Sequence, residues 1–481
     1  MNHPIGVSAR ALCLFALSVL AACGGGGSGG DKLPEANVPT ATLTAPAALA
    51  SNLTGVVALT ATAADDVGVT AVEFQIDGVA LGAADTVAPY TASVDTSLYA
   101  SGQHVLRARA SDAAGNVSSW STAVVHFAGS VPLPSGFTRD EAWITGLAGS
   151  TAFAQAPDGR IFVNQQQGTI RVIKDGVLLP APFATMTVDS TAERGLLGIA
   201  LHPDFANNGY VYVYSTRIDG GSHNRISRFT AAGDVAAAGS ELTLVDLPNL
   251  SSKTLHNGGG IHFGSDGKLY VGVGDNGDSP AAQDVANPFG KLLRFNEDGS
   301  IPADNPFYGA VTGVARAVWA YGLRNPFTFA VQPGTGTIHI NDVGFDSWEE
   351  IDLGVPGANY GWPITEGPTT LVGGLTFAAP LFTYPHSDPV PPGSGPGGFI
   401  SGSAITGGTF YPQAGPFPDG YRGQYYFADF INQFVARLDS ANGNAVYSFA
   451  RLSSQPVDLL VGIDGALYVL TRGGITRISA P

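Results

Sequence analysis

From residue 138 to the C-terminus one short unit recurs: a turn holding Gly or Asp, then a strand of alternating apolar and polar positions. It reads PDGRIFVNQ from 157, HPDFANNGYVYVYS from 202, GSDGKLYVGVGD from 264, PGTGTIHINDVG from 333, GQYYFADFINQFVARL from 423 and GIDGALYVLT from 462. A period of two predicts β-strands with one face buried, and the Gly and Asp positions predict the turns between them. Helical periodicity is scarce. Six units predict six blades, each a small antiparallel sheet around a central channel. The uneven spacing of the units places long loops on some blades, the longest insert running from Glu366 to Ile405. In a propeller such loops converge at the channel mouth, so residues far apart in sequence meet there.

Residues 38–129 carry a different pattern, rich in Ala, Thr and Val. Alternating runs at Val57–Ala63, Ala71–Ile76, Thr91–Val94, His104–Ala110 and Ala123–Phe127 are separated by turn clusters such as Asp65-Asp66-Val67-Gly68. About seven short strands in such a span predict a β-sandwich. The segments VEFQIDGVALG, APYTASVDTS and GQHVLRARASDAAGNVS resemble bacterial immunoglobulin-like modules, which implies a spacer or a weak adhesion domain. Asp65, Asp66, Asp112 and Asn116 are read as turn residues, with a gathered calcium ion as the alternative. The fold expected overall is all-β, an N-terminal immunoglobulin-like β-sandwich followed by a six-bladed β-propeller at 138–481, joined by the Pro-containing linker 130–137.

Composition adds export. Arg10 precedes an apolar run, Ala11 to Leu20, and then Leu20-Ala21-Ala22-Cys23, which predicts a secretory signal over residues 1–22. The cysteine after the cut resembles a lipoprotein signal, which implies Cys23 as a lipidated first residue tethered to the cell envelope. Gly24 rather than Asp after Cys23 points to the outer membrane. Residues 23–37, rich in Gly, form a flexible tether. Cys13 leaves with the signal, so no disulfide is expected. A net charge of −16 argues against nucleic acid and anionic membrane surfaces as partners.

Chemistry concentrates between Arg194 and Trp362. His256 sits beside Gly258, Gly259 and Gly260, where backbone approaches a ligand closely, and its ordinary pKa suits proton abstraction near neutrality. A turn histidine bonded to a carbonyl is the alternative. Arg324-Asn325-Pro326 offers a planar guanidinium that forks onto a carboxylate or quinone oxygen, or one that satisfies loop carbonyls. The acidic stretch Asp342 to Glu350 suits a hard cation needing six to eight oxygens, or solvent. His202 is read as structural.

The segments RGLLGIA with HPDF, HNGGG with GDNG, GKLLR, and GLRNP through GANYGW resemble, in order, the glucose/sorbosone dehydrogenase family of soluble pyrroloquinoline quinone (PQQ)-dependent aldose dehydrogenases. ITGGTFYP and YYFADF fit as well. The resemblance covers roughly residues 140–480. It implies oxidation of a small sugar at C1, with PQQ and calcium as cofactors. His256 would be the base and Arg324 would polarise the quinone, with Arg324 and Asn325 against the cofactor. The carbonyls of Gly344 and Phe345 would hold the cofactor's calcium. Glu350 and the Tyr360 carbonyl would hold a structural calcium, and Glu349 falls at an acidic family position. The chain departs from the family where PQQ's carboxylates need cations: Ile431 stands at the lysine position, Gln455 and Val457 at two arginine positions, and Gly260 where many relatives carry an arginine. Arg422, Arg451 and Arg472 are the candidates to replace them. The alternative function is a non-catalytic, calcium-stabilised propeller that binds carbohydrate or a protein surface. That alternative rests on the resemblance of HNGG, GLRNP and DVG to hedgehog-interacting-like propellers. A hydrolase or lactonase on a similar propeller is a third reading.

Overall fold

The computed structural model describes residues 37–386 and 400–481, apart from 48–49, 51–52, 54, 97–98, 100–101 and 128–132. The signal segment, Cys23, the tether as far as residue 36 and part of the 366–405 insert lie outside the described residues.

Residues 40–127 form two facing sheets. One pairs Thr40–Ala45, Val56–Ala64 and Tyr90–Asp95; the other pairs Val79–Ala80, Val69–Ile76, Gly102–Asp112 and Ser121–Phe127. In Val69–Ile76 Val72, Phe74 and Ile76 point inward at a period of two, and they pack with Leu59, Leu106, Val125 and Phe127. The acids of the turns cap backbone. Asp65 accepts from the N–H groups of Val67 and Gly68 at 3.0 and 2.8 Å, and Asp112 from the Asn116 side chain at 2.7 Å.

Residues 138–479 form six antiparallel sheets of four or five strands, besides a two-stranded hairpin at Leu371–Val372 and Leu375–Thr376. Their innermost strands are Ser150–Gln155, Leu196–Leu201, Ile261–Phe263, Pro326–Val331, Ile405–Phe410 and Pro456–Val461, which define blades 1 to 6. Each inner strand touches the next, and the sixth touches the first, so the ring closes. Closure uses the propeller's own first strand: Thr138–Thr145 pairs with Gly474–Ser479 as the outer strand of blade 6. That pairing gives the last blade its fourth strand. Buried Ile144, Phe153, Val163, Leu470 and Ile475 then seal blade 6 against blade 1.

All six recurring units fall at the same place, the turn into the second strand of a blade. Two show why Asp and Tyr recur. In blade 3 Asp266 caps the turn by accepting from Lys268 N–H, and its second oxygen accepts from Tyr270 Oη at 3.1 Å and Arg294 Nε at 3.0 Å. In blade 6 Asp464 does the same for Ala466, Tyr468 and Arg477. One carboxylate thus fixes the turn and ties the second strand to the third.

Candidate active site

The loop 250–260 enters blade 3 at the channel mouth. At His256 φ is +54° and at Gly258 +69°, the left-handed region where glycine carries no steric cost. A Cβ added at Gly258 would run into the Gly272 carbonyl. This tight approach sets His256 against Asp275. The His256 Nδ1 lies 2.7 Å from Asp275 Oδ1. Asp275 is fully buried and also accepts from Gly277 N–H at 2.7 Å and Trp362 Nε1 at 2.8 Å. Burial pushes its carboxyl up, but the hydrogen bonds from His256, Trp362 and Gly277 win and hold it below the usual aspartate value. An ionised carboxylate only accepts, so Nδ1 carries a proton and, in the neutral ring, the lone pair is on Nε2. Among the described residues Nε2 has no hydrogen-bond partner.

Arg324 and Asn325 join the same network. Buried Asp342 accepts the backbone N–H of Arg324 at 2.8 Å and of Asn325 at 2.7 Å, which fixes the turn. Burial, foremost, pushes the Asp342 carboxyl up to about 7. Asn325 Oδ1 accepts from Gly258 N–H at 3.0 Å, and Arg324 O accepts from Asp275 N–H at 2.8 Å. The Arg324 guanidinium donates to Val343 O at 2.9 Å and stands 5.5 Å from the ring centres of both Phe345 and Trp362. Its Nε is buried without a partner. His256, Arg324 and Asn325, which lie nearly 70 residues apart in sequence, are therefore one rigid constellation. Behind it Lys291, fully buried, donates to the carbonyls of Ala281, Ala282 and Phe289 at 2.6 to 2.9 Å and braces the loop that follows Asp275.

Beside this constellation lies a cavity of about 300 Å³ lined by all the blades but the third. Glu193, which accepts His256 N–H at 2.6 Å, and Asn325 line one part of it. Ile405, Phe430, Val457 and Arg472 line another.

The acidic loop divides. Glu350 and Asp352 share one face of strand Trp348–Leu353, and Asp342 is Glu350's cross-strand neighbour. Both carboxylate oxygens of fully buried Asp352 lack a hydrogen-bond partner. Burial, then the charges of Asp352 and Asp342, push Glu350 well above the ordinary carboxyl value. Among the described residues no three His, Cys, Asp or Glu side chains already converge on one metal position. The donor set still suits calcium, which draws on carbonyls as well as carboxylates: those of Gly344, Phe345 and Tyr360 accept no hydrogen bond among the described residues. Glu349 is placed differently from Glu350. It lies on the opposite face of the strand, where its oxygens take His386 Nε2 at 2.6 Å and Ile405 N–H at 2.9 Å. It ties blade 4 to blade 5, and its Oε2 also takes the Gly344 N–H at 3.3 Å.

The departures also have physical reasons. A Cβ at Gly260 would lie 2.7 Å from the Phe329 ring, so a side chain there needs that ring to move. Ile431 is 52% exposed, Val457 is buried in the cavity wall, and Gln455 O accepts the Arg472 N–H at 3.1 Å. Arg422 is engaged with Asp419 and Phe417 O. Arg472 is the replacement candidate that lines the cavity. His202 bonds Glu297 at 2.6 Å, a contact between the turns of blades 2 and 3. Sequence reasoning assigned no role to Asp275, Trp362 or Asp352. Asp275 lies inside the quoted GDNG segment, but only the fold puts it against His256.

Comparison with known proteins agrees with this geometry. The family model described as glucose / sorbosone dehydrogenase matches residues 147–479, and a bacterial Ig domain model matches residues 39–108. The aldose sugar dehydrogenase of Escherichia coli (strain K12) is 28% identical over 352 residues, covering 68% of this chain and 89% of that protein. The PQQ-bound aldose sugar dehydrogenase of Streptomyces coelicolor superposes with a TM-score of 0.57 at 25% identity, over 73% of this chain and 100% of that one. Human hedgehog-interacting protein is 28% identical over 231 residues, 41% of this chain and 32% of that protein. With six closed blades and the His256–Arg324–Asn325 constellation at their mouth, the chain belongs to the glucose/sorbosone dehydrogenase family.

Proposed function

We propose that this protein oxidises the C1 hydroxyl of an aldose, with PQQ as its cofactor. The observation that carries the reading is the His256–Asp275 pair at 2.7 Å, with Nε2 left as the open base. A C1 hydroxyl set against His256 gives its proton to Nε2, and Asp275 stabilises the imidazolium that results. Bound PQQ supplies the two-electron acceptor for the C1 hydride. Arg324 and Asn325 would hold it on the blade 4 side, and the fit rests on unpartnered donors: Arg324 Nε and the cavity face of Arg472. The Trp362 and Phe345 rings flank the Arg324 guanidinium. Glu350, with the carbonyls of Gly344, Phe345 and Tyr360, would bind calcium, which would offset the charge gathered at Asp342, Glu350 and Asp352. We further propose that Cys23 carries a lipid anchor in the cell envelope, probed by palmitate labelling, and that the immunoglobulin-like domain serves as a spacer.

A second reading is a calcium-stabilised propeller that binds carbohydrate or a protein surface without turnover. Ile431, Gln455 and Val457, uncharged where relatives hold PQQ with cations, favour it. Calorimetry with PQQ and calcium, followed by dye reduction over a panel of aldoses, separates the two. The dehydrogenase reading expects micromolar binding and turnover, with His256→Ala binding normally and losing about 10²- to 10⁴-fold in rate. No binding at micromolar PQQ sinks it.

A further inference from the structure

Arg472 follows the second strand of blade 6, Leu467–Thr471, and is clamped by its backbone. Its N–H donates to Gln455 O at 3.1 Å, and its carbonyl accepts from Gly149 N–H at 2.8 Å. The side chain spans the seam to blade 1. Nη1 donates to Ser150 O at 3.0 Å and Nη2 to Gln166 Oε1 at 2.7 Å. Gln166 is itself held, because its Nε2 donates to the carbonyls of Ala192 and Arg194 at 2.6 and 2.9 Å. That leaves Oε1 to face Arg472.

Two of the five guanidinium N–H groups are thus used. The other three have no partner among the described residues, and no described carboxylate lies within ion-pair distance. Arg194, on the neighbouring rim, shows what a structural arginine looks like here. It pairs with Asp189 at 2.8 Å and donates to the carbonyls of Ser251 and Lys253. Arg472 instead keeps an uncompensated charge in a cavity walled by Ile405, Phe430 and Val457. Burial draws its guanidinium below the ordinary value. An unpaired charge in an apolar wall is costly until an anion meets it. The cavity's acid, Glu193, is fixed on the His256 side by the His256 N–H, so an anion is attracted to the Arg472 end and repelled from the other.

The backbone bond to Gln455 places Arg472 beside the strand that carries Gln455 and Val457. We propose that Arg472 is the anion-binding residue of the central cavity, its fork taking a carboxylate of a planar aromatic polycarboxylate in place of the cations absent at Ile431, Gln455 and Val457. The identity of that ligand as PQQ rests on the function proposed above; the anion site does not.

The test titrates the full-length protein, Arg472→Gln and Arg472→Lys by calorimetry in the presence of calcium, with two probes: PQQ, and benzene-1,3-dicarboxylate. Thermal melting verifies that each variant folds, and the lysine variant keeps the charge while losing the fork. The expected result is a ten- to hundredfold loss of affinity in Arg472→Gln, the value of one charge-assisted bond. Arg472→Lys should lose less, and the glutamine variant should show a flatter salt dependence. Dicarboxylate binding that depends on Arg472 while PQQ fails to bind supports the anion site and removes the PQQ reading. PQQ bound equally by wild type and Arg472→Gln overturns the proposal and leaves the PQQ reading standing. Neither probe binding to the wild-type protein overturns both.

Discussion

The two sides of the channel mouth are built differently. On the side of blades 3 and 4, nearly every polar group near His256 and Arg324 is held by another: Asp275 by His256 and Trp362, Asn325 by Asp342 and Gly258, Glu193 by His256. On the side of blades 5 and 6 the wall is apolar apart from Thr406, whose hydroxyl donates to Val457 O, and Arg472. In the function proposed above, the first side serves proton transfer and the second meets the ligand's charge. The chemistry and the grip on the ligand are separable because different blades supply them, and a propeller's blades vary with little effect on one another.

That separation can be tested by disturbing one half at a time. The largest effect is expected from Asp275→Asn, which removes the ionised acceptor that fixes the His256 tautomer. Turnover should fall about 100-fold while PQQ affinity measured by calorimetry stays within a factor of three. An equal loss in both would show that the halves are coupled.

Lys291→Met strips three buried carbonyls of their donor. Burial draws this ammonium down to about 7, yet the three bonds make it the brace of the blade 3 loop. A stability loss of about 3 kcal/mol is expected in denaturant unfolding, with ligand affinity falling only as His256 loosens. An unchanged midpoint would remove the brace from the account.

Val457→Arg adds a cation to the apolar half. Affinity for PQQ should rise about tenfold, one charge-assisted hydrogen bond's worth, with no change in the rate for bound substrate. A loss of affinity would show that the wall needs its apolar contact more than a second charge.

The smallest effect concerns pH. Asp189 is held at about 2: burial pushes its carboxyl up, and hydrogen bonds from Arg194, Ser222 and Thr191 overcome it. A depressed aspartate contributes stability above its unfolded value near 3.9 and loses it as pH falls through about 2. Asp189→Asn should therefore lower stability at pH 6 and flatten the acid-unfolding curve between pH 4 and 2. The same slope in both proteins would mean that Arg194 is held by Ser251 and Lys253 alone.

Local patterns reveal the blades because the blade is a local object. A turn Asp such as Asp266 or Asp464 caps its own backbone two residues on, and the strand after it alternates by necessity of the pleat. His256, Arg324 and Asn325 were legible through resemblance, and the fold puts them together. Glu349 and Glu350 show where such reading stops. Adjacent residues on a strand face opposite sides, so an acidic pair in sequence becomes one interblade tie and one member of an acidic cluster. Asp352, two residues on, belongs with Glu350, and nothing in its neighbours announced that its carboxylate lies buried without a partner.

The sequence by itself determined the all-β character, the six repeats and the family, because strand period, turn chemistry and short motifs act over a few residues. Only the tertiary structure decided that Asp275 orients His256, that Asp342 holds Arg324 and Asn325, and that Arg472 rather than Arg422 reaches the cavity. The reason is ring closure. Packing six inner strands around one channel brings Gln166 of blade 1 against Arg472 of blade 6, 306 residues apart, and no local pattern encodes a contact whose partners meet only when the ring shuts.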